Sequence, residues 1–290
     1  MDVNIKSREG EYLDSFISGD GALAFLYGSL FGRLLLKLLI RRWVSSLVGI
    51  YMNSRLSKRH IKSTVENAGI DLSEFEKTEF DSYNDFFTRR IKKGKRPISA
   101  EAGSFISPCD AKLSAYRISE DSRFFIKNAS YTVSDLLGGN TALANEYNGG
   151  YCLIFRLTVD DYHRYCYIDN GEKEENTFIP GVLHTVKPVS LESHNIYKRN
   201  CREYTVLRTE NFDNVVQVEV GAMLVGRIKN LHGAQVFSKG QEKGMFEFGG
   251  STIVLLVKAK TVILDGDILR NSADNVETAV KLGERIAVKI

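Results

Sequence analysis

The sequence is poor in proline (4 of 290 residues), cysteine (4) and tryptophan (1), and neither sign of charge dominates, with 39 Lys and Arg against 36 Asp and Glu. The shortage of proline excludes a collagen-like or proline-rich low-complexity chain, and a net charge of +3 gives no mark of nucleic-acid binding. Cys109, Cys152, Cys166 and Cys201 form no C-x-x-C pair, and the polar start MDVNIKSREGEYLD lacks the apolar core of a secretory signal. Reduced thiols in a cytosol-facing protein are the expectation. Apolar residues are plentiful. At 43% hydrophobic, the chain can build one sizeable folded unit or two small ones and is not disordered throughout.

Acidic residues are absent from Gly21 to Val65, while Arg33, Lys37, Arg41, Arg42, Arg55, Lys58, Arg59 and Lys62 are all basic. The stretch ALAFLYGSLFGRLLLKLLIRRWV is interrupted by Arg33 and Lys37, so its uncharged part, Gly21 to Gly32, falls short of the roughly 20 residues that span a bilayer. A transmembrane helix is not expected. At about 100° per residue, Arg33, Lys37 and Arg41 share one helical face, with Leu35, Leu38 and Leu39 well away from it and Trp43 at the end. The competing reading is a cationic surface helix that packs its leucines on a core. Leucines at 34, 35, 36, 38 and 39 wrap more of the helix than one core-facing stripe needs. The pattern therefore predicts a helix lying in the face of an anionic membrane, where each basic residue contributes roughly 1 kcal/mol.

A second helical stretch is predicted from about Ser63 to Arg90, with Asp71 or Ser73 as caps. Beyond Pro97 the texture changes to Gly-bounded runs rich in Val, Ile, Thr and Tyr, such as YCLIFRLTV, NVVQVEVGAMLVGRI and GSTIVLLV, which read as antiparallel strands and hairpins. The expectation is an α+β chain: a helical, membrane-associating region over 1–97 and a β-rich antiparallel body over 98–290.

No P-loop, G-x-G-x-x-G, G-x-S-x-G or H-E-x-x-H occurs. A metal site is not expected, because His163-x-x-Cys166 offers two ligands and no second pair follows at a useful spacing. Gly249-Gly250-Ser251-Thr252 leads into the apolar run TIVLLV. An isolated tetrapeptide of this kind is ordinarily a turn. Glycine before serine, however, permits strained backbone and lets the Ser251 hydroxyl approach the unshielded Gly250 carbonyl, a geometry suited to self-cleavage.

KGQEKGMFEFGGST at 239–252, SPCDAKL at 107–113, FFTRRIKKGKRPI at 86–98 and DYHRY at 161–165 together resemble the phosphatidylserine decarboxylases, in the expected order and over most of the chain from about residue 80. The resemblance implies a proenzyme cut between Gly250 and Ser251, leaving a 40-residue C-terminal chain whose first residue, once Ser251, is a pyruvoyl group. That covalent, self-made cofactor would form a Schiff base with phosphatidylserine and act as an electron sink, giving phosphatidylethanolamine. It further implies a peripheral protein on the cytoplasmic face of the cell membrane, with an anionic lipid surface as partner. A homodimer is the default assembly.

In the family an Asp, a His and the Ser form a triad for self-cleavage. Asp110 matches the acid and His163 the first family histidine, expected at the substrate. The family's second histidine is replaced here by Cys166. His184 is a candidate base if 151–168 and 176–186 form a hairpin that sets it across from His163; His163 and Cys166 are the other candidates. Arg89, with Lys92 and Lys93, is a candidate for the lipid phosphate, or else Phe86 and Phe87 make this stretch structural. His60, His194 and His232 are assigned no role. Two rival readings are a pyruvoyl decarboxylase of a soluble amino acid and a non-catalytic lipid-binding β module in which Gly249-Gly250-Ser251 is only a turn.

Overall fold

The β-branched runs beyond Pro97 do form strands, and most of them join one sheet. The computed structural model describes residues 4–13, 25–26, 29–126, 129–183, 199–221, 227–248 and 251–290. Two strands precede the helices, β1 (Ile5–Lys6) and β2 (Tyr12–Leu13). The first half of the body holds β3 (Ser104–Ile106), β4 (Ala111–Arg117), β5 (Arg123–Ile126), β6 (Ala129–Thr132), β7 (Tyr151–Leu157), β8 (Arg164–Cys166), β9 (Gly171–Lys173) and β10 (Thr177–Ile179). Then come β11 (Arg202–Thr209), β12 (Asn214–Val220), β13 (Ile228–Asn230), β14 (Gln235–Phe237), β15 (Glu242–Phe246), β16 (Ser251–Val257), β17 (Val262–Leu264), β18 (Glu277–Val280) and β19 (Arg285–Lys289).

The main sheet runs β14-β9-β11-β12-β16-β7-β4-β18-β1-β2, with β10 also on β11; β13-β15-β8 and β17-β19-β3 form smaller sheets. All described pairs are antiparallel except β1 with β18. β16 lies between β12 and β7, and all seven of its residues are buried. It is covered on both faces, which is why TIVLLV is apolar without alternation. Ile253 and Leu255 join Leu153 and Phe155 in one core, and Val254 and Leu256 join Ile154 and Val218 in the other. The start of the chain is clamped to its end. β1 pairs with β18, and the Arg8 guanidinium reaches Asp265, Asp267 and Glu284.

The basic segment forms two helices, Leu30–Leu39 and Arg42–Met52, where one continuous helix through Trp43 was expected; Arg41 is extended at φ −75, ψ 138 and breaks it. Leu36 and Ile40 point inward to Leu26 and Val182, whereas Phe31, Leu34, Trp43, Leu47 and Ile50 are exposed. No described helix is long and apolar enough to cross a membrane.

The predicted helix from Ser63 to Arg90 is overturned. A helix at Ile61–Ala68 stops at Gly69, whose φ of 61 is the left-handed C-terminal cap that glycine accepts without strain. A short 3-10 turn at Leu72–Glu74, capped by Asp71, and a helix at Tyr83–Phe87, capped by Ser82, follow. The expected hairpin is also overturned. β8 pairs with β15 and β10 with β11, because the turn at 169–171 sends β9 onto β11 and β14 rather than back along β8. His184 lies outside the described residues, as do His194, Gly249 and Gly250.

Candidate active site

Ser251 is the first residue of β16, fully buried, and its Oγ has no hydrogen-bond partner among the described residues. A buried hydroxyl without a partner costs free energy comparable to a lost hydrogen bond, and Thr252 Oγ1 beside it is in the same state among the described residues. Its facing residue in the ladder is Leu157 on β7, and the β12 register ends at the neighbouring Thr252–Val220 pair.

His163 is held just ahead of β8, where its carbonyl accepts from the Phe246 N–H at 2.9 Å. Its ring is fully buried and lies tilted on Phe87, with centroids 3.9 Å apart, and Phe87 in turn meets Phe248, three residues before Ser251. Nδ1 is 3.0 Å from the Asp161 carbonyl, which can only accept, so Nδ1 carries the proton and Nε2 keeps its lone pair. Nε2 has no partner among the described residues. Burial lowers the imidazole pKa from 6.5 to about 3 against the opposing pull of Asp161, so the ring is neutral near pH 7. A neutral imidazole with a free Nε2 is able to accept a proton, and Nε2 and Ser251 Oγ make no hydrogen bond to each other. Cys166 is not equipped for that task, since burial pushes its thiol up to about 12.

Asp110 is buried in the loop after Pro108, and no histidine is among its described partners. Arg96 donates to both its oxygens, at 3.0 Å and 2.7 Å, and the Leu282 N–H donates to Oδ1 at 2.8 Å. Arg89, expected at a lipid phosphate, is buried, and burial lowers its pKa to about 10. It donates to the carbonyls of Phe86, Asp160 and Asp161 and lies over the rings of Phe75 and Phe86. This placement braces the loop whose Asp161 carbonyl orients His163 and turns the guanidinium away from solvent.

Residues not singled out by sequence complete that brace. The Lys112 ammonium bonds Thr158 Oγ1 at 2.6 Å and the carboxylates of Asp160 and Asp161 at 2.8 Å each. Burial opposes ionisation of Asp161, but Lys112 and the Thr158 N–H overcome it and hold the carboxyl below its usual range. The signal was in plain view, because Lys112 belongs to SPCDAKL and Asp161 to DYHRY. Arg96 of the KRP stretch likewise holds Asp110, and Glu242 of KGQE accepts from Arg164 at 2.6 Å. Each motif supplies one end of an ion pair whose other end is in another. Among the described residues no cluster of three or more His, Cys, Asp or Glu could hold a metal.

Comparison with known proteins places this arrangement. Residues 83–288 match the family model described as phosphatidylserine decarboxylase. The chain is 51% identical to phosphatidylserine decarboxylase proenzyme 2 of Clostridium acetobutylicum over 92% of this chain and 91% of that protein. It is 38% identical to the phosphatidylserine decarboxylase proenzyme of Clostridium botulinum strain 657 over 96% of each chain. With the proenzyme of that name from Ruminiclostridium cellulolyticum it shares 40% over 98% of this chain and 97% of the relative. The four motifs tied to one another by ion pairs thus have their explanation in kinship: the chain belongs to the phosphatidylserine decarboxylase family and is a decarboxylase.

Proposed function

We propose that the protein is a self-cleaving proenzyme that converts phosphatidylserine to phosphatidylethanolamine at a membrane surface, with a pyruvoyl group made from Ser251. The observation that carries this reading is the buried, unpartnered Ser251 hydroxyl at the head of a central strand, directly after two glycines. His163 Nε2 takes the Ser251 proton. Oγ then attacks the Gly250 carbonyl carbon, and the peptide C–N bond breaks as the nitrogen gains a proton, leaving an ester. Loss of the Cα proton expels the Gly250 carboxylate and forms dehydroalanine, and water replaces its nitrogen as ammonia to leave a ketone. The fit of the pyruvoyl group rests on the same site: the residue that would become it is buried, paired with Leu157 on β7, and screened from water.

That group supplies a sink for the electrons released with carbon dioxide. The chain does the rest. Arg89 and Lys112 fix the Asp160–Asp161 loop, the Asp161 carbonyl holds the His163 tautomer, and Arg96 neutralises Asp110 at the base of the site. After cleavage the 40-residue chain stays in place, since β16 is sandwiched between β12 and β7 and β18 between β1 and β4. The exposed Phe31, Leu34, Trp43, Leu47 and Ile50, together with the acid-free basic segment, suit docking on anionic lipid.

Intact mass spectrometry of the purified protein tests the reading. Wild type should give two co-purifying chains, the smaller starting with a carbonyl-reactive blocked terminus, and should convert phosphatidylserine in mixed micelles; Ser251→Ala should stay whole and inactive. A wild-type chain that turns over its lipid uncut would overturn it.

A further inference from the structure

The chain that leads to the cleavage site is held residue by residue until just short of it. At the end of β15 the Phe246 N–H donates to the His163 carbonyl at 2.9 Å, and the Glu247 N–H, on the other side, donates to the Arg227 carbonyl at 3.0 Å. The β15–β8 register pairs Met245 with Arg164, so a continued ladder would bring Phe248 to Asp161. The Asp161 carbonyl, however, is already taken by His163 Nδ1 and Arg89. The Phe248 N–H donates instead to a side chain, Oδ1 of Asn84, at 2.9 Å. Two glycines then separate Phe248 from Ser251, whose pairing on β7 begins at Leu157.

The orientation of the Asn84 amide is fixed from behind. Asn84 is buried in the helix Tyr83–Phe87, whose first residue donates its N–H to Ser57 Oγ at 2.8 Å. Asn84 Nδ2 donates to Asn53 Oδ1 at 3.0 Å, and Asn53, which ends the helix Arg42–Met52, donates through its own Nδ2 to the Gly49 carbonyl at 2.8 Å. A carbonyl only accepts, so the Gly49 bond sets the Asn53 amide, and the Asn53 amide sets that of Asn84. Oδ1 is therefore the atom that Asn84 turns to Phe248. The same helix takes the Phe248 ring, which lies edge-on to Tyr83 at 5.1 Å and to Phe87 at 5.6 Å between centroids. One short helix thus grips both the peptide and the ring of Phe248.

We propose that Asn84 is a positioning residue for self-cleavage: by holding the Phe248 N–H it fixes one end of a tether whose two glycines offer no side chain to grip, and so aims the Gly250 carbonyl at Ser251 Oγ. The assignment rests on the proenzyme reading. Glycine adopts positive and negative φ about equally, so the direction of the peptide units between Phe248 and Ser251 has to be imposed from the flanks. With Ser251 fixed on β7, what remains to be set is where Phe248 stands. A misplacement of about 1 Å between reacting atoms can cost on the order of 100-fold in rate, so a single hydrogen bond three residues away has leverage over the step. Asn84 acts through Phe248 and exchanges no proton with the reacting groups.

Cell-free synthesis of the full chain, halted and then followed on a denaturing gel, reads the rate at which the uncut chain gives way to two. Asn84→Ala should slow that rate about tenfold, the size of one lost hydrogen bond. Asn84→Asp keeps an acceptor oxygen for Phe248 and lets Asn53 turn its amide to donate to the other oxygen, so it should bring the rate back to within about threefold of wild type. Thr64→Val is the control for a merely structural loss. It removes the hydroxyl 3.1 Å from Tyr83 Oη in the same aromatic cluster without touching the Phe248 peptide, and should cut within about twofold of wild type. Asn84→Ala cutting at the wild-type rate, Asn84→Asp failing to restore it, or Thr64→Val slowing it as much overturns the assignment. Where circular dichroism shows Asn84→Ala unfolded, Asn53→Ala at the exposed end of its helix carries the test: it should slow cutting about threefold, and wild-type speed overturns the assignment. A wild-type chain that never cuts refutes the proenzyme reading itself, whereas a wild type that cuts no faster than Asn84→Ala refutes Asn84 alone.

Discussion

His163 makes the stability of the uncut chain depend on acidity in a way that one variant isolates. Its folded-state pKa is about 3 against an ordinary 6.5, because the charged ring has no water in the core. For a histidine depressed in this way, the folded state is not penalised above pH 6.5, where both states are neutral, and loses stability as pH falls from 6.5 toward 3, where only the unfolded chain takes the proton. At about pH 5 the unfolded chain is favoured by about 2 kcal/mol through this one group, from roughly 1.4 kcal/mol per pH unit over about one and a half units. Ser251→Ala should be the background, so that a single chain unfolds reversibly. Urea denaturation of this protein and of a His163→Gln derivative at about pH 7 and pH 5 gives a double difference in which the other titrating groups cancel to first order. The His163-containing chain should lose about 2 kcal/mol more than the derivative between the two values. Equal losses would show that the ring takes up its proton as readily in the fold as in the unfolded chain, and the argument for a desolvated, neutral imidazole would go.

The Lys243–Glu219 pair offers a second test. Lys243→Met leaves a fully buried carboxylate without its cation and should cost about 3–5 kcal/mol in a urea melt, while adding Glu219→Leu should recover most of the loss; a double variant no more stable than the single one refutes the ion-pair account. On the outer surface, replacing Trp43, Leu47 and Ile50 together by serine should lower partitioning into anionic vesicles about 100-fold, taking about 1 kcal/mol for each partly inserted side chain. Cleavage at Ser251 should be unchanged in that variant, and sedimentation with vesicles as strong as wild type would remove the membrane face.

Much of the site could be read from local sequence because its chemistry is concentrated in short stretches. A glycine pair before a serine and an apolar run, or an Asp after Ser-Pro-Cys, is visible without knowing what it touches. The partners of those residues were less accessible. Asp110 stands out in its motif, but that Arg96, 14 positions earlier, bonds both its oxygens is not disclosed by the motif. His163 and the run 176–186 look like two arms of a hairpin, since both are β-prone and a turn separates them, yet the strand after that turn is drawn to β11 and β14. Strand pairing depends on which long-range partner completes the core, and periodicity within a window carries no record of it. The helix forecast failed for a local reason. Phe75, Phe80, Phe86 and Phe87 suggested one long apolar face, but Gly69 in the left-handed region ends the first helix; Phe80, Phe86 and Phe87 meet in a cluster with Tyr83, while Phe75 turns to Tyr162.

Lys243 shows how one irregularity can hide a structural role. Strict alternation along β15 would put Lys243 and Gly244 on opposite faces, one of them toward solvent, and a lysine in a run of charged and small residues reads as the solvent-facing one. The register between β15 and β8 shifts between Glu242 and Gly244, so both Lys243 and Gly244 are buried, while Glu242 is left half-exposed to receive Arg164 and Arg90. A bulge of this kind turns a side chain without altering composition, which is why residue types alone do not disclose it. Its consequence is specific. Gly244 has the Tyr165 ring and the Lys229 carbonyl within 3 Å of where a Cβ would stand, so the close approach that buries Lys243 beside Glu219 requires glycine next to it. Glycine at 244 is thus part of what fixes the buried Lys243 charge beside Glu219.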